Sequence, residues 1–351
     1  MKRSLLRLLA VAALQGPIVA FPAFAAMPGD EILVVTNRIS LGKEKGCAAY
    51  ADDPDPDKVV SLVVVRRPAD GSCELKPLPN GDEDALFNAL KERFGGASKK
   101  NLVLFLHGSG QTFANMLDKA SGVAQKQQVL VLSLDWPMAK STGNYVMARG
   151  KADGAAAIFG PLLNRLMARI AKDEDLRPRT VDVFAHSLGN YVLQKMVLDA
   201  GAEESFAGVR RVTLNAPDVM LTDQRGFIEK ISGRGAAVYV VINRNDRVIR
   251  CAADLGGFGP IGTALCNKIV SNRIKGERLG NRIPGAELAA GATYLDVTLL
   301  EGIGNGHEYY LGKPASAKEI YLRLSRAGGK AASFDGIRFQ AAEDGRVLIF
   351  K

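Results

Sequence analysis

From about residue 82 onward the chain alternates short apolar runs with longer amphipathic stretches, and no other feature limits its possible folds as much. The runs Leu102–Leu106, Val129–Leu134, Val181–Ala185, Val212–Leu214, Val238–Ile242 and Tyr294–Leu299 are mostly apolar and rich in branched side chains. A strand apolar on both faces must be covered on both faces, which is the situation of a mainly parallel sheet with helices above and below it. Between the runs, Ile158, Phe159, Leu162, Leu163, Leu166, Met167 and Ile170 recur at helical spacing and mark the buried face of a long helix. Upstream, residues 32–36 and 59–65 read as strands separated by an Asp/Pro-rich loop at 52–57. Downstream, 336–341 and 346–350 flank Glu343-Asp344-Gly345 as a β-hairpin. The fold class is therefore α/β. An N-terminal strand region (26–81), a core (82–330) with an insertion at about 250–290, and a C-terminal hairpin (331–351) are expected. Hydrophobic residues make up 47% of the chain and charged ones 24%, which excludes a disordered or fibrous protein.

Residues 1–25 join a basic start (Lys2, Arg3, Arg7), an apolar run from Leu8 to Leu14 and the small-residue site Ala23-Phe24-Ala25, the pattern of a secretory signal peptide. Gln15, Gly16 and Pro17 interrupt the apolar run well short of the ~20 residues of a spanning helix, so cleavage before Ala26 is expected, with a periplasmic or secreted product and no transmembrane helix in the mature form. The residue directly after the cleavage site is Ala26, not a cysteine that could carry a lipid. Cys47, Cys73, Cys251 and Cys266 all fall in the exported part, where disulfides persist. Proximity favours Cys47–Cys73 and Cys251–Cys266 among the three connectivities. No Cys-x-x-Cys pair is present and the three histidines are scattered, so no metal is expected.

The segment Val181–Asn190 ends one apolar run and opens a helix, and its centre, Ala185-His186-Ser187-Leu188-Gly189, is a variant of the Gly-x-Ser-x-Gly nucleophile elbow. A tight strand-to-helix turn forces the serine into a strained conformation, so the residues two before and two after it must be small. Ala185 and Gly189 are. Read without chemistry, Ser187 is a helix N-cap. A serine hydroxyl becomes nucleophilic when a histidine accepts its proton and an acid orients that histidine. Of the three histidines, His186 adjoins the serine and should point away, and His107 opens His107-Gly108-Ser109-Gly110, where an oxyanion loop belongs. His307 remains, in the glycine-rich loop Gly304–Tyr310, where the alternative is a plain surface histidine. The chain order serine, acid, histidine then requires a carboxylate between them: Asp246, past the run ending at Ile242, with Asp218 in reserve. The oxyanion donors expected are the N–H groups of Leu188 and Ser109, or of Gly108 in place of the latter.

These residues together resemble the α/β-hydrolase superfamily, and within it a bacterial family of esterase/lipase-like proteins with an Ala-His-Ser-x-Gly-Asn elbow and largely unassigned substrate. The resemblance rests on Thr36-Asn37-Arg38, His107-Gly108 with Thr112-Phe113, Ala185-His186-Ser187-x-Gly189-Asn190, Ala216-Pro217-Asp218, Asp246 and Gly306-His307-x-x-Tyr310. It implies Ser187 as nucleophile, His307 as base and Asp246 as acid. Leu188 stands where relatives usually carry Met, and Ser109-Gly110 where they carry an aromatic residue and Asn.

The stretch between Asp246 and the final core strand is basic, and Arg247, Arg250, Lys268, Arg273, Lys275, Arg278 and Arg282 outnumber acids such as Asp254 and Glu277. A solvated loop and a surface for negatively charged substrate are both open readings. The basic residues are not interleaved with aromatics, so no nucleic-acid partner is expected. Two function classes follow: an exported serine hydrolase acting on an acyl or ester bond of a small molecule or lipid without a cofactor, or a noncatalytic envelope binding or assembly protein that keeps the fold. Oligomeric state is not readable.

Overall fold

Every residue of the strand Leu102–Leu106 is buried, as a strand covered on both faces must be. The structure, a computed structural model, describes residues 31–57, 60–68, 70–79, 82–94, 101–138, 145–176, 180–253, 266, 275–311, 315–326, 332–342 and 345–351. The expected leader at 1–25 and most of the insertion, 254–265 and 267–274, lie outside them.

In chain order the strands are β1 (Glu31–Thr36), β2 (Arg38–Ser40), β3 (Tyr50–Pro54), β4 (Ser61–Arg66), β5 (Glu74–Pro77), β6 (Leu102–Leu106), β7 (Leu130–Asp135), β8 (Val181–His186), β9 (Val209–Asn215), β10 (Ala237–Ile242), β11 (Ala292–Asp296), β12 (Phe339–Ala342) and β13 (Val347–Phe350). The helices are α1 (Glu83–Phe94), α2 (Phe113–Gln127), α3 (Tyr145–Lys172), α4 (Gly189–Leu198), α5 (Gln224–Gly233), α6 (Arg247–Ala253) and α7 (Ala315–Arg326). One sheet holds eleven strands in the order β12-β13-β11-β10-β9-β8-β6-β7-β1-β4-β5, and β2 pairs with β3 apart from it. From β1 to β13 every neighbouring pair is parallel; β4, β5 and β12 add antiparallel edges. The N-terminal strands and the C-terminal hairpin thus extend the central sheet at its two ends. Three strands, β2, β3 and β5, have no counterpart in the apolar pattern, and the last core strand stops at Asp296 rather than Leu299.

Each face of the sheet carries its own apolar core. One gathers Leu86 and Leu90 of α1, Phe159, Leu163 and Leu166 of α3, Val192 and Met196 of α4 and Ile228 of α5. The other gathers Phe113, Met116 and Leu117 of α2 with Ile320, Tyr321 and Leu324 of α7. The predicted stripe of α3 is buried at Phe159, Leu162, Leu163, Leu166, Met167 and Ile170, and burying an aliphatic or aromatic side chain of this kind is worth about 1.5–3 kcal/mol. Cys47–Cys73 and Cys251–Cys266 are both joined, with Cα atoms 5.0 and 5.2 Å apart. No helix among the described residues is long and apolar enough to cross a membrane.

The strand order reverses around β6, whose neighbours β7 and β8 follow it in the chain on opposite sides. In open parallel sheets, the crevice at the carboxyl ends of such strands is where ligands bind. The loops after β6, β8, β10 and β11 all leave from that edge.

Candidate active site

Ser187 follows β8 with φ +53°, in the left-handed region that a non-glycine residue occupies only when its surroundings hold it there. Here they do. The Ser187 N–H donates to Asn215 O at 3.0 Å, and its carbonyl accepts from the N–H groups of Asn190 (3.0 Å) and Asp218 (3.1 Å). The Asn190 side chain adds a third bond to that carbonyl at 3.0 Å and a bond to Asn215 O at 3.2 Å. Ala185 and Gly189 flank the turn, and the demand on Gly189 is strict. A methyl there would stand 2.5 Å from the carbonyl oxygens of both Leu106 and His107. At Gly108 a methyl would stand 2.8 Å from Ser187 Cβ. The loop that begins at His107 therefore runs directly against the serine, and Ser109 is the residue after the point of closest approach.

Asp246 and His307 meet at the same edge. His307 Nδ1 lies 2.7 Å from Asp246 Oδ2, so Nδ1 carries the proton donated to the carboxylate and Nε2 is left as the basic nitrogen. Asp246 is fully buried and its other oxygen accepts from the N–H of Ile249 at 3.0 Å, capping α6. One carboxylate thus fixes a helix start and a histidine ring. The histidine loop is anchored from three directions. The Asn243 amide donates to the carbonyls of Gly304 (3.2 Å) and Gly306 (2.9 Å), Glu308 pairs with Lys119 of α2, and the Tyr309 hydroxyl donates to Val241 O at 3.3 Å.

His186 backs His307, their ring centroids 4.6 Å apart, and packs on Tyr310 at the same centroid distance. Burial, reinforced by the positive potential of His307 and Lys119, holds the His186 pKa well below the usual imidazole value. Its Nδ1 accepts from the Asn215 amide at 2.9 Å, so the neutral ring carries its proton on Nε2. The ring that backs His307 is thus uncharged.

Asp218, the reserve acid, has other partners: Arg278 Nε at 2.9 Å and the Tyr145 hydroxyl at 2.7 Å. Arg278 is fully buried, so this member of the basic insertion is an internal counter-ion and not a solvated side chain. Arg282 pairs on the surface with Glu277. Lys268 and Arg273 lie outside the described residues.

Two positions at the site escape the sequence patterns: Asn243, which ties the acid loop to the histidine loop, and Asp135, which pairs with the buried Arg38 of the Thr36-Asn37-Arg38 motif behind the His107 loop. Asp135 is fully buried, which alone would raise its pKa, yet Arg38 and then His107 beside it bring it down to about 2. Asn243 follows β10 in the stretch that delivers Asp246, and only that proximity could have flagged it.

A strained serine at a strand-to-helix turn, at the carboxyl edge of a parallel sheet whose later loops bring a carboxylate onto a histidine, is the arrangement of an α/β hydrolase. Residues 82–318 match the family described as "Alpha/beta hydrolase of unknown function (DUF900)". The chain belongs to that family. No curated protein matches it.

Proposed function

We propose that the protein is an exported serine hydrolase that cleaves an ester or related acyl bond, with Ser187 as nucleophile, His307 as base and Asp246 as acid. The observation that carries the reading is the 2.7 Å bond from His307 Nδ1 to Asp246, which leaves Nε2 basic on a ring packed against the neighbour of Ser187. Ser187 Oγ attacks the acyl carbon as His307 Nε2 takes its proton. The tetrahedral oxyanion is held by the N–H groups of Leu188 and Ser109, and the imidazolium, stabilised by Asp246, passes its proton to the leaving group. Water then attacks the acyl-enzyme by the same route in reverse, with the acid released and Ser187 reprotonated. The chemistry needs no cofactor. Export follows from the leader-like residues 1–25 and accords with two disulfides.

The substrate class is tested with p-nitrophenyl esters of increasing acyl length, assayed on the chain from Ala26. Saturable turnover with at least one acyl length is expected, at rates lowered by about 10⁴-fold or more in Ser187→Ala. A folded protein that turns over none of them above the Ser187→Ala level supports the noncatalytic envelope protein instead.

A further inference from the structure

We propose that Arg38, from the N-terminal strands outside the family match, is a positioning residue for the oxyanion loop His107–Gln111. The inference rests on the hydrolase reading above. Arg38 is fully buried, and its planar guanidinium reaches three separate pieces of chain. Nε and Nη2 donate to Asp135 at 2.8 and 3.1 Å, Nη2 also reaches the carbonyls of Trp136 (2.8 Å) and Gln111 (3.0 Å), and Nη1 reaches Asp52 at 3.1 Å. Gln111 is the far end of the oxyanion loop.

The near end is held through the same carboxylate. Asp135 Oδ1 lies 3.1 Å from His107 Nε2, and Asp135 Oδ2 accepts from the Thr36 hydroxyl at 2.6 Å. The His107 ring stacks on Trp136 with centroids 5.4 Å apart, and the Trp136 indole N–H donates to His107 O at 3.3 Å. His107 Nδ1 turns back to the Gly108 carbonyl at 2.8 Å, and the Gln111 side chain donates to Ser109 O at 3.0 Å. Both peptide planes next to the Ser109 N–H are therefore fixed by groups that lead back to the Arg38–Asp135 pair.

A buried ion pair is a weak source of stability, because desolvation consumes most of its attraction. What a bidentate guanidinium does supply is fixed geometry among the groups it binds. Oxyanion stabilisation depends on such geometry, since donors must already point at the charge when it develops, and a displacement of about 1 Å can cost 10²-fold in rate. Loss of the fork should therefore appear in the acylation step and spare substrate binding.

The test compares wild type with Arg38→Lys, which keeps the charge and most of the volume and loses the fork. With a p-nitrophenyl ester as substrate, kcat is expected to fall about 10–100-fold with KM little changed. Inhibition by phenylboronic acid, whose serine adduct is tetrahedral and anionic, should weaken in parallel, while the midpoint of the kcat/KM pH profile stays where it is in wild type. A variant with lowered Tm but wild-type kcat and boronate affinity per folded molecule overturns the proposal and leaves Arg38 a structural residue. Should Arg38→Lys not fold, Thr36→Val, which removes one donor to Asp135, carries the same comparison with an expected few-fold loss of kcat; unchanged kcat and boronate affinity there also overturn it. A wild-type protein with no ester turnover and no boronate binding marks the failure of the hydrolase reading itself.

Discussion

Asp246→Asn should lower kcat by about 10⁴-fold while the protein stays folded, and Asp218→Asn should do the reverse. In a serine–histidine–aspartate site the carboxylate keeps the proton on Nδ1 and stabilises the imidazolium; an amide can instead donate to Nδ1 and leave the wrong tautomer facing the serine. Asp246 bonds His307 Nδ1 at 2.7 Å and caps α6 through Ile249, and asparagine caps helices about as well as aspartate. The loss is thus expected in turnover and not in stability. Asp218 is bound to the buried Arg278 guanidinium, and neutralising it removes the carboxylate half of a buried ion pair, at a cost of about 3–5 kcal/mol. Thermal melting together with active-site-normalised kcat separates the two. Equal losses of kcat in both folded variants would remove Asp246 from its assigned role.

Gly189→Ala should be the most disruptive single methyl in the molecule's site region. Its Cβ would lie 2.5 Å from two backbone carbonyl oxygens, Leu106 and His107, and backbone cannot swing aside as a flexible side chain can. Overpacking of this kind costs roughly 1–3 kcal/mol, and relief requires the start of α4 to back away from the end of β6. That motion separates the Leu188 N–H from the loop that carries the Ser109 N–H, so kcat should drop at least 10²-fold even in the molecules that fold. Gly154→Ala on α3 is the control. Nothing lies within 4 Å of its Cβ position, and replacing a mid-helix glycine should add about 0.5–1 kcal/mol of stability with unchanged turnover. Paired melting curves and ester kinetics on the two variants give the comparison.

The sheet was legible where strands are apolar on both faces, because that pattern has one common solution: β6, β8 and β10 begin and end within a residue of the apolar runs. Strands β2 and β3 are short and partly exposed, and β5 is a polar edge strand, so burial leaves no period in their sequences. The serine, histidine and acid candidates could be nominated because chain order and the scarcity of histidine narrow the choice. Chain position already puts Asp246 ahead of Asp218; the partner that occupies Asp218 instead is not legible, being Arg278, sixty residues further on and outwardly one more arginine in a basic stretch. The Arg38–Asp135 pair is hidden for the same reason. Its members are separated by most of a hundred residues, and the register that places β1 beside β7, parallel to it, is set by the fold as a whole.

The account stands or falls on Ser187 being a reactive alcohol. Treating the folded protein with a fluorophosphonate probe and mapping the adduct by peptide mass spectrometry tests this directly. One equivalent of probe on Ser187, absent from Ser187→Ala and strongly slowed in His307→Ala, is the predicted result. Labelling that persists at full stoichiometry in folded Ser187→Ala, or a folded wild-type protein that takes up no probe, contradicts it.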